Sequence, residues 1–381
     1  MEIIAKIENL NYKATLFPNL NEYSIEKFSS GQLAEHASFV LNYKNCLYGI
    51  SQWKSPKRTR TYPYARVYDT MGLQTRVTLI PFIKDEGFDG DRDFIQWDTV
   101  SLMSLLNVYV IIGYYKNAKR NPKYENKITN QVMDYQYLAE QIDQLIDYKS
   151  SSLHWNLNQL DKCHIISQKC KENYQKISTE LGVRLHSYEG IDRRIAVLKE
   201  GVIQFKDHSR KLSMEAQNRE VQTLQPKENT IEEKAKLTIR NYLGGEYHFT
   251  IDELKIEKDK LIFMEKKHTN NALFPNIYDI KDGFVKLMLF TNLVDTKIDF
   301  KAFNHFSVLG LTSAKFKGFC HNQMSEQQIK DSLSKNKFSG KQHKTILSVF
   351  NEGNLNNFLI FLMDNNFPEY QNEILSSLKI H

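Results

Sequence analysis

A chain of 381 residues that is 41% hydrophobic is long enough for two or three domains with real cores, which excludes a disordered protein. Lys and Arg number 51 against 45 Asp and Glu, a formal net charge of +6 that permits a polyanionic partner without requiring one. The four cysteines, Cys46, Cys163, Cys170 and Cys320, form no CxxC pair, so neither a disulfide scaffold nor a zinc ribbon is expected. The opening MEIIAKIENLNYK lacks the apolar core of a signal peptide, and no apolar run approaches the roughly 20 residues of a membrane helix. A soluble, cytoplasmic protein with no membrane partner is the expectation.

In chain order, EIIAKI reads as an opening strand and GQLAEHASFVLNY, residues 31–43, as a helix. KSPKRTRTYPYAR, residues 54–66, interleaves Lys54, Lys57, Arg58, Arg60 and Arg66 with Tyr62, Tyr64 and two prolines. Two readings of this stiff, basic segment stand side by side: a DNA-contacting stretch along a groove, or a solvated loop. RVTLIPFI, at 76–83, has strand composition, and the KDEGFDGDRDFIQWD that follows gathers Asp85, Glu86, Asp89, Asp91, Asp93 and Asp98 around two glycines. It lacks the closing Glu of an EF-hand loop, so that motif is rejected. A capped loop whose acids neutralise nearby bases is favoured over a second metal or polar recognition site. VSLMSLL then fits a buried helix and NVYVIIGYY, 107–115, a buried strand. Residues 1–130 thus read as an N-terminal α/β region and a candidate for DNA recognition.

From residue 131 the pattern becomes helical. Tyr135, Leu138, Ile142 and Leu145 recur at three- and four-residue steps, as do Ile191, Ile195, Leu198, Val202 and Phe205. Residues 131–225 are expected to form a long-helix arm or dimerisation region. Within it, Cys163 and Cys170 share a helical face beside His164, where packing is a simpler account than a metal site.

Pro226 marks a boundary, and Thr230 with Glu233 spells a capping box. A helix is expected here, with Ala235, Ile239, Tyr242 and Leu243 as its apolar stripe and Gly244 and Gly245 ending it. Glu232 projects to the buried side of that helix, whereas capping accounts for Glu233. YHFTIDELKIEKDKLIFMEKKHT, residues 247–269, then places two extended runs, LKI and LIFM, on either side of the turn Glu257 to Lys260, a hairpin pattern. Asp252 precedes the first run, and Glu265, Lys266 and Lys267 leave the second. Neighbouring strands lie about 4.8 Å apart, so these charges can converge where the strands diverge. Pro275 precedes a second amphipathic helix at 277–293, with Ile277, Ile280, Phe284, Leu287 and Met288 as its stripe. Residues 301–381 read as an accessory lobe. Its Lys-rich segment, with Lys341 and Lys344, offers DNA contacts or a merely solvated face, and its final run FLIFLM suits a strand or a helix.

Asp252 and Glu265, with Glu232 as a third, are hard oxygen ligands of the kind Mg²⁺ takes, and Lys267 adds a point charge beside them. Phosphodiester hydrolysis demands acceleration toward the upper part of the ~10⁶–10¹⁷ range, whereas acid–base catalysis alone contributes ~10²–10⁴, so that reaction calls for a metal. Asp252 followed thirteen residues later by Glu265-x-Lys267, between two helices, resembles the PD-(D/E)xK nuclease superfamily, and most of all its type II restriction endonucleases. The block from YPYARVYDTMG to PFIKDEGFDGDRDFIQWDTVSLMSLLNVYVII is also similar to one that recurs in restriction enzymes of this size.

The resemblance implies an α/β fold in which a mixed-sheet, restriction-endonuclease-like core at 226–300 is flanked by helices, with an inserted helical region. It implies catalysis by Asp252, Glu265, Lys267 and Glu232, with Asp252 and Glu265 holding Mg²⁺. It further implies hydrolysis of double-stranded DNA to 5′-phosphates by a homodimer. The pattern departs from the family in that no Pro precedes Asp252; Glu253 can exchange roles with Asp252, and Lys266 duplicates the lysine. A non-catalytic nucleic-acid-binding protein with a nuclease-like core is the alternative function. The bland alternative is an ion-pair cluster at a sheet edge, where exposed pairs contribute only about 0–1 kcal/mol.

Overall fold

The computed structural model describes residues 2–57, 60–148, 151–187, 189–199, 235–240, 246–257, 259–364, 370, 373–374 and 376–378. The chain divides into two compact units. One is Pro18–Ser213, and the other joins Met1–Phe17 to Met214–His381. Both are α/β with mixed sheets.

In the Pro18–Ser213 unit a five-stranded sheet runs in the order Glu22–Ser24, Ser38–Tyr43, Cys46–Gln52, Thr75–Pro81, Tyr109–Gly113. The helix expected over 31–43 is instead a turn followed by the strand Ser38–Tyr43. Phe39, Val40 and Leu41 are buried in succession, and Lys44 and Asn45 both take positive φ, as a two-residue hairpin turn requires. The strands expected at 76–83 and 107–115 and the helix between them are present as Thr75–Pro81, Tyr109–Gly113 and Trp97–Leu105.

The helical region consists of Tyr135–Ile146, Ser152–Asp161, Cys163–Leu181 and Glu189–Lys199 among the described residues. Within it, side chains of the helix Ser152–Asp161 meet the backbone of the edge strand Tyr109–Gly113. Asn156 Oδ1 accepts from the Val110 amide at 2.7 Å, Asn156 Nδ2 donates to Val108 O at 3.0 Å, and Trp155 Nε1 donates to Val110 O at 2.8 Å. An edge strand must have its backbone groups satisfied, and here a helix supplies the partners. Tyr135, Leu138, Ile142 and Leu145 are all buried as their spacing predicts, while Val202 and Phe205 lie outside the described residues. Cys163 and Cys170 are buried thiols, and burial pushes the Cys170 thiol well above its usual range, which fits packing.

The second unit carries two five-stranded sheets. The first runs Glu246–Ile251, Ala235–Arg240, Glu2–Lys6, Val294–Ile298, Lys301–Ala302. The second runs Glu253–Glu257, Lys260–Thr269, Asn304–Ser313, Leu359–Met363, Phe319–His321. Residues 235–240, expected in a helix, form a strand: Ala235, Leu237 and Ile239 alternate inward, and the strand pairs in parallel with the N-terminal strand and antiparallel with Glu246–Ile251. The cap residues Thr230, Glu232 and Glu233 lie outside the described residues.

The chain passes from the first sheet to the second at Asp252, since Ile251 pairs with Ala235 and Glu253 with Met264. The expected hairpin is present, with Glu257 opposite Lys260. Its second strand, however, continues to Thr269, so Glu265 and Lys267 lie inside a strand and not beyond its end. The reason is that Asn304–Ser313 pairs in parallel along the whole of 260–269, whereas its other neighbour stops at Glu253. A parallel pair needs a crossover, and the helix Ile277–Phe290 supplies it, capped by Asn276 through the Tyr278 and Asp279 amides at 2.9 and 3.0 Å. FLIFLM becomes the buried strand Leu359–Met363.

Residues 12–16, which have no regular structure, are fastened to the helix Gly340–Leu355 by the fully buried Glu352. Its Oε1 accepts from Tyr12 OH at 2.8 Å, and its Oε2 accepts from the Thr15 amide at 2.8 Å, Thr15 Oγ1 at 2.9 Å and the Leu16 amide at 3.2 Å. Hydrogen bonds to a charged group contribute about 1.5–3 kcal/mol each, and buried donors left without an acceptor cost comparably. Glu352→Ala is therefore expected to lower stability by roughly 3 kcal/mol or more, and Tyr12→Phe by about 1–2 kcal/mol. Urea denaturation of the two variants checks both the size and the order.

Candidate active site

The strand Lys260–Thr269 sorts its side chains by parity. Ile262 and Met264 enter a core with Val308, Leu359, Phe361, Ile374 and Leu378. Phe263, Glu265 and Lys267 face the helix Ile277–Phe290, where Phe263 meets Phe290 edge-on at 5.8 Å. Glu265 is thus set among apolar groups at 1% exposure. A carboxyl there needs a cation or a proton.

Three elements supply what it needs. From its own strand, Lys267 places Nζ 3.0 Å from Glu265 Oε1. From the facing helix, Lys286 places Nζ 2.8 Å from Glu265 Oε2, and Asp282 takes the other side of Lys267 at 2.8 Å. At the switch between sheets, Asp252 Oδ2 accepts the Lys266 amide at 2.9 Å, which sets Asp252 near Glu265, the residue before Lys266. The helix comes close because residue 283 is glycine. A Cβ there would stand 2.9 Å from Leu309 Cδ1 and 3.4 Å from Lys267 Cε.

Parity also separates the duplicated residues of the motif in space. Lys266 points to the opposite face and ion-pairs with Glu253, itself buried. Asp252 and Lys267 are therefore the members that join Glu265.

The electrostatics follow from burial and proximity. Burial, and then the neighbouring Asp252 charge, push the Glu265 carboxyl up to about 7, although both lysines pull it down. Burial would raise Asp252 too, but the Lys286 ammonium, the Lys266 amide and Lys267 hold it below the usual carboxylate range. Burial opposes the charge on Lys267, yet Glu265 and Asp282 outweigh it and hold Lys267 above the usual range. The same balance, with Glu265 and Asp252 foremost, keeps Lys286 protonated.

A divalent ion fits this donor set in two respects. Asp252 and Glu265 offer hard oxygens near enough for the Asp252 charge to act on Glu265, and Glu265 Oε1, with an ammonium near it, still accepts no aligned hydrogen bond. Among the described residues no group of three or more His, Cys, Asp or Glu side chains is positioned as a metal cage. Mg²⁺ is held by one or two carboxylates together with water and phosphate, so two suffice for it. Glu232 lies outside the described residues.

The residues assigned to DNA binding are distributed differently. Lys54 pairs with Glu35, and Arg66 donates to the Thr61 and Gln52 carbonyls at 2.9 and 2.5 Å. Arg60 is engaged by Glu86 at 2.9 Å, Asp93 at 3.4 Å and Asp91. The acidic stretch thus neutralises nearby bases, Lys84 and Lys127 included, and Asp85 is buried against His186 at 2.8 Å. Lys57, Lys341 and Lys344 are exposed, and Arg58 lies outside the described residues.

Lys286, Asp282 and Gly283 were missed from the sequence. The available signal was a charged i, i+4 pair flanking a glycine within an otherwise apolar helix. No family model matches the chain, and no curated protein and no solved structure matches it either. Among the described residues no helix is long and apolar enough to cross a membrane.

Two outcomes follow. A carboxyl raised from 4.5 to about 7 binds its proton more tightly in the folded chain. Its contribution is therefore complete below the unfolded pKa and is lost as pH rises from about 4.5 through about 7. Glu265→Gln removes that loss, so the stability of the natural chain relative to this variant should fall between pH 5 and pH 8 by on the order of 1–3 kcal/mol. Urea midpoints at the two pH values read it. Gly283→Val should cost about 1–3 kcal/mol through overpacking against Leu309 and Lys267, where an exposed helical glycine would gain from substitution. The same measurement decides it.

Proposed function

We propose that this protein is a Mg²⁺-dependent endodeoxyribonuclease of the type II restriction class, with a restriction-endonuclease-like core in the Met1–Phe17 and Met214–His381 unit. The single observation that carries the reading is the convergence of Asp252, a buried Glu265 and Lys267 where the chain changes sheets, one strand from the crossover helix. An ordinary surface ion pair gives no reason to bury a carboxyl near a second carboxyl, since like charges repel more strongly when desolvated.

Asp252 and Glu265 are the residues that would hold the ion. When bound, Mg²⁺ would polarise a phosphoryl oxygen and lower the pKa of a coordinated water. The chain's own contribution is positional and electrostatic. The Lys266 amide fixes one Asp252 oxygen, burial keeps Glu265 in place, and Lys267 is held between Glu265 and Asp282. Lys267 is then placed to offset negative charge that grows on a phosphodiester during attack. The substrate is double-stranded DNA, the products carry 5′-phosphates, and the acting form is a homodimer with one strand cut by each protomer. Exposed Lys57, Lys341 and Lys344 supply phosphate contacts.

Plasmid DNA incubated with the protein and Mg²⁺ should yield discrete fragments, and Lys267→Ala should cut at least ~10²-fold more slowly. Equal cutting by Lys267→Ala sinks the catalytic assignment. Binding without cleavage in any divalent metal points instead to a nucleic-acid-binding protein with an inactive core.

A further inference from the structure

The two oxygens of Glu265 are used differently. Oε2 accepts a hydrogen bond from Lys286 Nζ at 2.8 Å. Oε1 is buried and accepts none, although Lys267 Nζ stands only 3.0 Å away. The Lys267 ammonium donates instead to Asp282 Oδ2 at 2.8 Å. Asp282 and Lys286 lie one turn apart on the helix Ile277–Phe290, so a single helix face occupies one Glu265 oxygen and engages the ammonium that stands beside the other.

We infer that Asp282 is a positioning residue: by taking the Lys267 hydrogen bond it keeps Glu265 Oε1 open as the oxygen that receives the divalent ion. This rests on the metal-dependent nuclease reading above.

Competition for one ammonium is the physical reason. A buried acceptor left without a donor is costly, and the ammonium nearest to Oε1 sits on a flexible four-carbon stem. Only a competing acceptor holds it in a position from which it does not donate to Oε1. Asp282 is suited to compete, because its side chain is 23% exposed against 1% for Glu265, so water shares in stabilising its charge. Without it, a small shift of Lys267 would bring an N–H onto Oε1. Both Glu265 oxygens would then carry charge-assisted hydrogen bonds, and the ion would have to displace one of them.

The test is metal binding by the full chain without DNA, by titration calorimetry with Mn²⁺ at pH 8. The chains are the natural one, Asp282→Asn, Asp282→Ala, Lys267→Met and the double variant Lys267→Met with Asp282→Ala, each shown to be folded by circular dichroism. Asp282→Ala should bind about tenfold more weakly or worse, the scale of one charge-assisted hydrogen bond that the ion must displace. Asp282→Asn keeps an oxygen that accepts from Lys267, and should stay within about threefold of the natural chain. In the Lys267→Met background no ammonium can close on Oε1, so adding Asp282→Ala should change affinity by less than about threefold, the coupling that a shared contact produces.

An equal loss in both backgrounds, or Asp282→Asn as weak as Asp282→Ala, means that Asp282 acts only through its charge and overturns the inference alone. Unchanged binding by Asp282→Ala does the same. Should Asp282→Ala not fold, Asp282→Ser, too short to take the Lys267 hydrogen bond, replaces it with the same outcomes. Absence of Mn²⁺ binding in every folded chain overturns the metal reading and the inference with it.

Discussion

The burial of one carboxyl, Glu265, is the constraint on which the candidate site depends. A carboxyl at 1% exposure is costly unless its charge is matched, and the surrounding architecture matches it from three directions. The parallel partner strand holds residue 265 deep within a sheet. The crossover helix, admitted close by Gly283, brings Lys286 and Asp282. The change of sheet at Asp252 sets a second carboxyl beside the first. Remove any one of these and the buried Glu265 or one of its partners loses a counter-charge.

The same accounting of polar groups organises the rest of the molecule. In the Pro18–Ser213 unit, Asn156 and Trp155 of the helix Ser152–Asp161 bond to the backbone of the edge strand Tyr109–Gly113. Arg60, basic in a basic segment, is claimed by the acidic stretch that begins 25 residues later at Asp85. Glu352 ties down an N-terminal stretch with no regular structure of its own. In each case a polar side chain finds a partner remote in sequence.

Legibility in the sequence followed the range of the interaction. The hairpin at 253–269 and the helix Ile277–Phe290 were readable because alternation, turn composition and apolar spacing are local properties. Two helices were misread where local spacing competed with sheet pairing. Ala235 and Ile239 fit a helical step of four, but Leu237 between them is equally buried, and a strand uses all three. Residues 38–43 hold a β-branched and aromatic run that a helix-like prefix obscured. Asp252, Glu265 and Lys267 were readable as a motif, whereas the choice between Lys266 and Lys267 required the parity of a strand whose inward face is fixed by packing.

By itself, then, the sequence determined the α/β class, the hairpin and the amphipathic helix that follows it, because these depend on neighbours a few positions away. Only the tertiary structure decided that Glu253 and Lys266 form a separate pair on the opposite face, and that Lys286, 21 residues beyond Glu265, completes the cluster. The reason is physical. Which charges meet is set by strand register and by how closely a helix packs on its sheet, and both are properties of the assembled core that no local pattern of side chains encodes.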